Sequence, residues 1–195
     1  MTKYILAGGC DRLYPEYFTQ LVRVIQTEVA HPKLLSCWFS NHADEADERF
    51  PAYREQMLKF FAEGTEIVKA EKATFIEQVA DADVVYLHGG HTDVLFEAMA
   101  AYDDLESVFE GKIIVGSSAG ANYLARVGFS PGKNTPVDGS GVLDIAVVVH
   151  YGSMGFNGRT YEPEFWDEAV KRTREHSGSD QVLLLPEGSF SVIDI

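Results

Sequence analysis

Apolar and polar residues follow two different periods along this chain. Short apolar runs rich in β-branched residues are typical of buried strands, and longer segments between them repeat apolar residues every three or four positions. In the segment 16–30, for example, Phe18, Leu21, Val22 and Ile25 fall at helical intervals. This alternation predicts an α/β fold with a mainly parallel sheet and helices on both of its faces.

The predicted strands and helices alternate through most of the chain. The strands are expected at 3–7, 33–39, 66–70, 83–87, 112–116 and 145–149. The helices are expected at 16–30, 44–62, 73–80, 92–102, 119–126 and 164–176. A length of 195 residues suits one domain, which we expect to span 1–195.

Two segments depart from this alternation. The segment 127–144 is rich in Gly, Pro, Ser and Asn, which predicts a long surface loop. The runs 181–185 and 189–193 are both extended and are joined by Pro-Glu-Gly, a turn sequence. They predict either a β-hairpin or a strand-turn-strand corner.

The charge and the cysteines exclude several classes of protein. Lys and Arg number 16 against 30 Asp and Glu, a net charge of -14, which repels nucleic acid and anionic lipid. No apolar run approaches the roughly 20 residues that span a bilayer, and the first residues lack a secretory signal, so we expect a cytoplasmic protein. Cys10 and Cys37 are too few for a disulfide framework or a zinc site, and we predict that both are reduced.

A Gly-Ser-Ser-Ala-Gly motif at 116–120 joins a predicted strand to a predicted helix. This G-x-S-x-G spacing is that of a nucleophile elbow, in which small residues on both sides of Ser118 prevent clashes in a strained turn. The N–H groups of the helix that begins at Ala119 lie beside this serine and can stabilise an oxyanion. No Lys follows the glycines as in a P-loop, which argues against a phosphate site. We therefore predict that Ser118 is a nucleophile.

A serine nucleophile needs a base, and the base needs an orienting acid. His150 ends the apolar run 145–149, which places it at the C-terminal tip of a strand, where catalytic groups collect in open α/β sheets. We predict that His150 is the base. Chain order leaves the acid open: the α/β-hydrolase order selects Asp138 or Asp144, and the order Ser, His, Glu selects Glu187.

A family resemblance rests on three segments of the chain: 88–92 (His-Gly-Gly-His-Thr), 116–122 (Gly-Ser-Ser-Ala-Gly-Ala-Asn) and 185–188 (Leu-Pro-Glu-Gly). In this order they resemble the aspartyl dipeptidase (dipeptidase E) and cyanophycinase family of serine peptidases. The resemblance implies a class I glutamine amidotransferase-like, flavodoxin-like fold with a serine where the amidotransferases have a cysteine.

The resemblance also implies a role for individual residues. It makes Ser118 the nucleophile, His150 the general base and Glu187 the orienting acid of a Ser-His-Glu triad. The glycine-rich turn of the family matches 88–91, which implies that the N–H groups of Gly90 and Ala119 form the oxyanion hole.

The chain departs from the family pattern at three places. The family turn commonly reads Gly-Gly-Gly-Asn, whereas His88 and His91 flank the glycines here, so we expect both imidazoles to line or neighbour the pocket and His91 to bind the substrate. Aspartyl dipeptidases have an Asp before a Met-Pro pair where this chain has Asn134, which makes Asn134 a candidate for substrate specificity. Family members usually continue with further strands beyond the Pro-Glu-Gly corner, so we expect a pocket open on that side.

The resulting hypothesis is a serine peptidase that cleaves dipeptides, isopeptides or aspartyl-linked peptides through an acyl-enzyme, without a metal or cofactor. One alternative is a catalytically silent protein of the same fold that binds a small metabolite; the other is an esterase with Asp138 or Asp144 as its acid. We expect a small peptide as the partner of a monomer or homodimer. Four cations are candidates for binding a substrate carboxylate: Arg126, Lys133, Arg159 and Arg172.

Overall fold

The computed structural model describes residues 1–9, 13–156 and 158–195. Its strands are β1 (Lys3–Ala7), β2 (Lys33–Cys37), β3 (Glu66–Lys69), β4 (Val84–Leu87), β5 (Ile113–Ser117), β6 (Ala125–Ser130), β7 (Thr135–Asp138), β8 (Leu143–Val149), β9 (Gly155–Phe156), β10 (Arg159–Thr160), β11 (Val182–Leu185) and β12 (Phe190–Asp194). Its α-helices are α1 (Pro15–Glu28), α2 (Ala43–Leu58), α3 (Phe75–Asp81), α4 (Thr92–Met99), α5 (Leu105–Val108), α6 (Ala119–Leu124) and α7 (Pro163–Ser177).

A six-stranded sheet in the order β12-β1-β5-β4-β2-β3 forms the centre of the fold. The five strands β1 to β5 run parallel to one another. The sixth, β12, lies at one edge and pairs antiparallel with β1. Every residue of β4 and β5 is buried, as expected for parallel strands covered on both faces. Because parallel strands end at the same edge, the turns after β1, β4 and β5 meet there.

Helices cover both faces of this sheet, and alternate side chains of each strand enter different cores. In β1, Ile5 and Ala7 pack with α1 and α2, whereas Tyr4 and Leu6 pack on the side of α3, α4, α5 and α6. This arrangement confirms the predicted mainly parallel sheet with helices on both faces.

A second sheet, in the order β11-β8-β6-β7, extends the structure beyond the prediction. One side of it, including Val147 and Val149, joins the core under α6, and the other side, including Val148, packs against Trp166 and Ala169 of α7. In this sheet β8 ends at Val149 and β11 ends at Leu185, and these two residues are register partners. The second sheet therefore brings residues 150 and 186–188 together.

The prediction of a surface loop at 127–144 is wrong, because the segment contains most of β6, all of β7 and the first residues of β8. Val127 and Phe129 are buried in β6. Gly128 is a packing residue, since a Cβ there would lie 2.3 Å from the Asn122 Oδ1 atom. The glycine that indicated a loop instead lets a strand approach α6.

The two runs joined by Pro186-Glu187-Gly188 form a corner, so the hairpin alternative is wrong. β11 pairs parallel with β8 in the second sheet, whereas β12 pairs antiparallel with β1 in the first. The corner wraps around Gly8, where a Cβ would lie 2.0 Å from the Pro186 carbonyl oxygen. The tight approach at Gly8 directs the two strands into different sheets.

The six predicted strands and six predicted helices are all present, with shifted ends. The largest shifts are at α2, which ends at Leu58 and not at 62, and at α4, which ends at Met99 and not at 102. Tyr102 therefore lies beyond the end of α4, and its hydroxyl donates to the Lys72 carbonyl oxygen. The short elements α5, β9 and β10 were not predicted.

Cys37 is unpaired and fully buried, and burial raises the pKa of its thiol to about 12. The thiol is therefore protonated and unreactive. Cys10 lies outside the described residues. Within the described part of the chain, no helix combines the length and the apolar character needed to cross a lipid bilayer.

Candidate active site

Ser118 lies in the turn between β5 and α6 and has a strained backbone, with φ 51° and ψ -104°. The two glycines of the motif make room for this turn. A Cβ at Gly116 would lie 2.7 Å from the Gly120 carbonyl oxygen, and a Cβ at Gly120 would lie 2.2 Å from the Leu87 carbonyl oxygen. The sequence motif thus has the steric function expected of a nucleophile elbow.

A chain of two hydrogen bonds joins Ser118, His150 and Glu187. The Ser118 Oγ atom lies 2.8 Å from His150 Nε2, and His150 Nδ1 lies 2.9 Å from Glu187 Oε1. His150 is 1% exposed, and the Glu187 side chain is 11% exposed. The three side chains come from the ends of β5, β8 and β11, in two different sheets.

The two alternative acids lie on the surface and have other partners. Asp138 Oδ1 lies 2.7 Å from His176 Nε2, and Asp144 Oδ1 accepts a hydrogen bond from Arg126 Nε at 2.6 Å. Both carboxylates are largely exposed. Glu187 is the carboxylate that the structure brings to the imidazole.

The backbone segment 7–9, at the end of β1, holds the three side chains in place. The Ser118 N–H donates to the carbonyl oxygen of residue 7 at 3.0 Å. The His150 N–H donates to the carbonyl oxygen of residue 8 at 3.0 Å, and the Gly188 N–H donates to that of residue 9 at 3.2 Å. Gly188 follows Glu187 directly and packs against the Tyr14 ring. The corner is therefore packed next to Glu187, whose side chain is 11% exposed, and the open side of the pocket stays a prediction.

Gly9 leaves no room for a side chain above the imidazole, which yields a testable prediction. Its φ is +101°, and a Cβ there would lie 2.4 Å from His150 Cε1 and 3.0 Å from Ser118 Cβ. We expect Gly9→Ala to lower kcat/KM of the reaction at Ser118 by about 100-fold, because a displacement of about 1 Å in a catalytic group has an effect of that size.

Gly111→Ala is the matched control for Gly9→Ala. Gly111 also has a positive φ, +74°, but no atom lies within 4 Å of a Cβ built there. Both variants carry similar backbone strain, and circular dichroism checks that both fold. Equal activities for the two variants would contradict the proposed contact with the imidazole.

Two cavities lie on either side of Ser118 and share four residues: Gly90, His91, Ser118 and His150. The larger has a volume of about 690 Å³ and the smaller about 240 Å³. The walls of the larger cavity include Trp38, Tyr53, Glu45 and Arg49, and those of the smaller include Asp93 and Lys133. The hydroxyl of Ser118 therefore opens onto one cleft with two arms.

The predicted substrate-binding residues differ in position. His91 is exposed and lines both cavities, with its ring 5.8 Å from that of His42. Asn134 lies at the turn between β6 and β7 and lines neither cavity, and its Oδ1 and carbonyl oxygen accept hydrogen bonds from Arg172. His91 therefore lies at the site, whereas Asn134 lies outside both cavities and is hydrogen-bonded to Arg172 of α7.

Of the four candidate cations, only Lys133 lines a cavity. It pairs with Asp93 at 3.1 Å and lowers the pKa of that carboxyl. Arg126 pairs with Asp144, and Arg159 donates to the Gly132 carbonyl oxygen. Within residues 1–9, 13–156 and 158–195, no cluster of three or more His, Cys, Asp or Glu residues is arranged to hold a metal ion.

The backbone around Ser118 offers hydrogen-bond donors. In the described part of the chain, the N–H groups of Gly90 and Ala119 donate to no protein acceptor. Gly89 packs against Ser118, since a Cβ there would lie 3.1 Å from Ser118 Cβ. Donors at such positions can stabilise negative charge on a substrate oxygen.

Comparison with known proteins identifies the family. Residues 40–194, most of the chain and all three residues of the hydrogen-bonded chain, match the family model of peptidase family S51. The chain belongs to peptidase family S51. No curated protein matches it. A crystal structure from Listeria monocytogenes EGD-e, of a protein described provisionally as a peptidase E, superposes with a TM-score of 0.63 at 14% identity.

This S51 chain aligns along 100% of its own length with 99% of the Listeria chain, a likeness that shows the fold. The predicted family is confirmed, and as a member of family S51 the protein is a serine peptidase. Two residues at the site, Gly9 and Arg49, were not predicted from the sequence. A Gly pair directly after β1, at the sheet edge that also carries Ser118, was an available signal for Gly9.

Proposed function

We propose that the protein hydrolyses small peptides, such as dipeptides, isopeptides or aspartyl-linked peptides, through an acyl-enzyme on Ser118. The observation that carries the proposal is the continuous hydrogen-bonded chain from Ser118 Oγ through His150 to Glu187. Such a chain activates a hydroxyl that is a weak nucleophile on its own.

In the first half of the reaction, His150 acts as a general base. Its Nδ1–H donates to Glu187, so Nε2 carries the lone pair that accepts the Ser118 proton. The Ser118 oxygen then forms a bond to the carbonyl carbon, and the carbonyl oxygen becomes an oxyanion between the N–H groups of Gly90 and Ala119. One such donor contributes about 2.7 to 4 kcal/mol in other hydrolases.

In the second half, the same imidazole acts as an acid, then as a base and finally as an acid again. The C–N bond breaks, and the leaving amine takes the proton from His150 Nε2. Water attacks the acyl carbon and gives one proton to Nε2, which returns it to Ser118 as the carboxylic acid leaves. Glu187 holds the imidazole in one tautomer and stabilises the imidazolium in both halves.

The two-armed cleft supports a short, charged substrate. The larger arm carries Glu45 and Arg49, and the smaller carries Asp93 and Lys133, so each arm has charge of both signs. Mixed charge suits the ammonium and carboxylate ends of a short peptide. His91 lines both arms and is the side chain that we propose contacts the substrate near the scissile bond.

A screen of dipeptides, β-linked isopeptides and longer peptides tests this proposal, with the Ser118→Ala protein as the blank. We expect wild-type protein to cleave one or more short peptides and the blank to cleave none. Equal turnover by the two proteins would contradict the proposal. The absence of turnover by a folded wild-type protein, together with equal binding of a small metabolite by both proteins, would favour the binding-protein alternative.

A further inference from the structure

Ser40 lies beneath the glycine turn that follows β4. It is fully buried, and its position after β2 places it beside residues 88–91. A Cβ at Gly90 would lie 2.5 Å from the Ser40 carbonyl oxygen and 2.8 Å from the Ser40 Oγ atom. The neighbouring Gly89 faces Ser118 in the same way. The turn is therefore held between Ser40 and the nucleophile.

Several hydrogen bonds fix the turn on the side of Ser40. The Ser40 Oγ atom lies 2.9 Å from each of the carbonyl oxygens of His88 and Gly89. The side-chain amide of Asn41 donates to Ser40 Oγ at 3.0 Å and to the Gly89 carbonyl oxygen at 3.3 Å. The His91 N–H in turn donates to the Ser40 carbonyl oxygen at 2.8 Å.

These contacts determine where the Gly90 N–H points. The peptide bond between Gly89 and Gly90 is trans, so its C=O and N–H groups point in opposite directions. Because the Gly89 carbonyl is bound on the side of Ser40 and Asn41, the Gly90 N–H points away from them. Gly90 lines both cavities together with Ser118, and its N–H donates to no acceptor among the described residues.

We propose that Ser40 is a positioning residue, whose buried hydroxyl fixes the Gly89–Gly90 peptide so that the Gly90 N–H binds the oxyanion. This assignment rests on the proposed function, since it presumes the acyl-enzyme route through Ser118. Glycines at both positions allow the peptide to rotate, and a rotated peptide presents a carbonyl oxygen to the developing negative charge. A donor that is fixed before the reaction needs no reorganisation in the transition state.

The test compares wild-type protein with Ser40→Ala, Asn41→Ala and Ser177→Ala. Ser177 is another buried serine, and its hydroxyl donates to the Arg174 carbonyl oxygen in α7, so it controls for the loss of a buried hydroxyl. The measurements are kcat and KM for the best peptide of the screen, and the Kd of a peptide boronic acid that forms a tetrahedral adduct. Thermal unfolding checks that each variant folds.

We expect Ser40→Ala to lower kcat by about 10- to 100-fold with little change in KM, since complete loss of one oxyanion donor lowers kcat by about 100- to 1000-fold. The boronate Kd should rise by the same factor as kcat falls. Asn41→Ala should lower kcat by a smaller factor, and Ser177→Ala should leave both constants unchanged. Asn41→Ala keeps the test decisive if Ser40→Ala fails to fold.

Three outcomes would overturn the assignment. Wild-type values of kcat and boronate Kd in Ser40→Ala and Asn41→Ala would exclude a positioning role for Ser40. A rise in KM as large as the loss in kcat/KM would mean that Ser40 affects substrate binding in general. A folded wild-type protein that neither cleaves a peptide nor binds the boronate would overturn the proposed function, and the role of Ser40 with it.

Discussion

Replacement of Ser118 by Ala is expected to lower peptide turnover by roughly a million-fold, the loss found when the nucleophile of a comparable triad is removed. The reason is chemical, because the Ser118 hydroxyl is hydrogen-bonded to His150 Nε2 and is the group that forms the acyl-enzyme in the proposed reaction. Among the described residues that hydroxyl bonds His150, so its loss leaves the backbone contacts of the elbow intact. Steady-state kinetics on the best peptide of the screen measure the effect.

The control for Ser118→Ala is Ser177→Ala, which removes a buried serine hydroxyl from α7. Both variants should melt within a few degrees of wild-type protein, and the control should keep wild-type kcat and KM. A Ser118→Ala protein that is folded and retains a tenth or more of the wild-type kcat would exclude Ser118 as the nucleophile.

Replacement of Glu187 by Gln should have the second largest effect. A neutral amide next to His150 Nδ1 neither stabilises the imidazolium nor enforces the tautomer that leaves Nε2 free to accept the serine proton. The corresponding change in another Ser-His-acid triad lowers kcat by roughly 10⁴-fold with the geometry intact. We expect a loss of that order in kcat and a small change in KM, measured on the same peptide.

Asp138→Asn and Asp144→Asn are the matched controls, since each also replaces a carboxylate by its amide. Asp144 forms an exposed ion pair with Arg126 and Asp138 an exposed hydrogen bond with His176, and exposed ion pairs contribute about 0 to 1 kcal/mol to stability. Both variants should therefore keep wild-type activity. Loss of activity in either of them, with activity retained in Glu187→Gln, would contradict the triad and favour the esterase alternative.

The elbow could be predicted from the sequence because its constraints are local. The spacing of Gly116, Ser118 and Gly120 meets the steric demands of a strand, a turn and a helix that follow one another directly. The same holds for β4 and β5 in the first sheet, whose apolar runs are continuous because these strands are buried on both faces.

The acid of the triad could not be chosen from local pattern, because the approach of His150 and Glu187 depends on the second sheet. The register that pairs Val149 with Leu185 brings the ends of β8 and β11 together across 36 positions of the chain. The resemblance to the S51 family named Glu187, whereas spacing alone left Asp138 and Asp144 equally possible.

Glycine and serine were misleading where they serve packing and not turns. Gly128 lies in the buried strand β6, where the Asn122 side chain occupies the space that a Cβ would need. The Gly, Pro, Ser and Asn content of 127–144 nevertheless predicted a loop. Ser40 and Asn41 carried no signal, because a Ser-Asn pair after a strand is common in loops. Their contacts with the turn at 88–90 appear only when β2 and β4 are paired.

The most direct test of Ser118 as the nucleophile is to treat the folded protein with a fluorophosphonate probe and to locate the adduct by peptide mass spectrometry. We expect one adduct, on Ser118, that is absent from Ser118→Ala and forms much more slowly in Glu187→Gln. A folded wild-type protein that remains unlabelled, or that carries its adduct on another residue such as Ser117, would contradict this role.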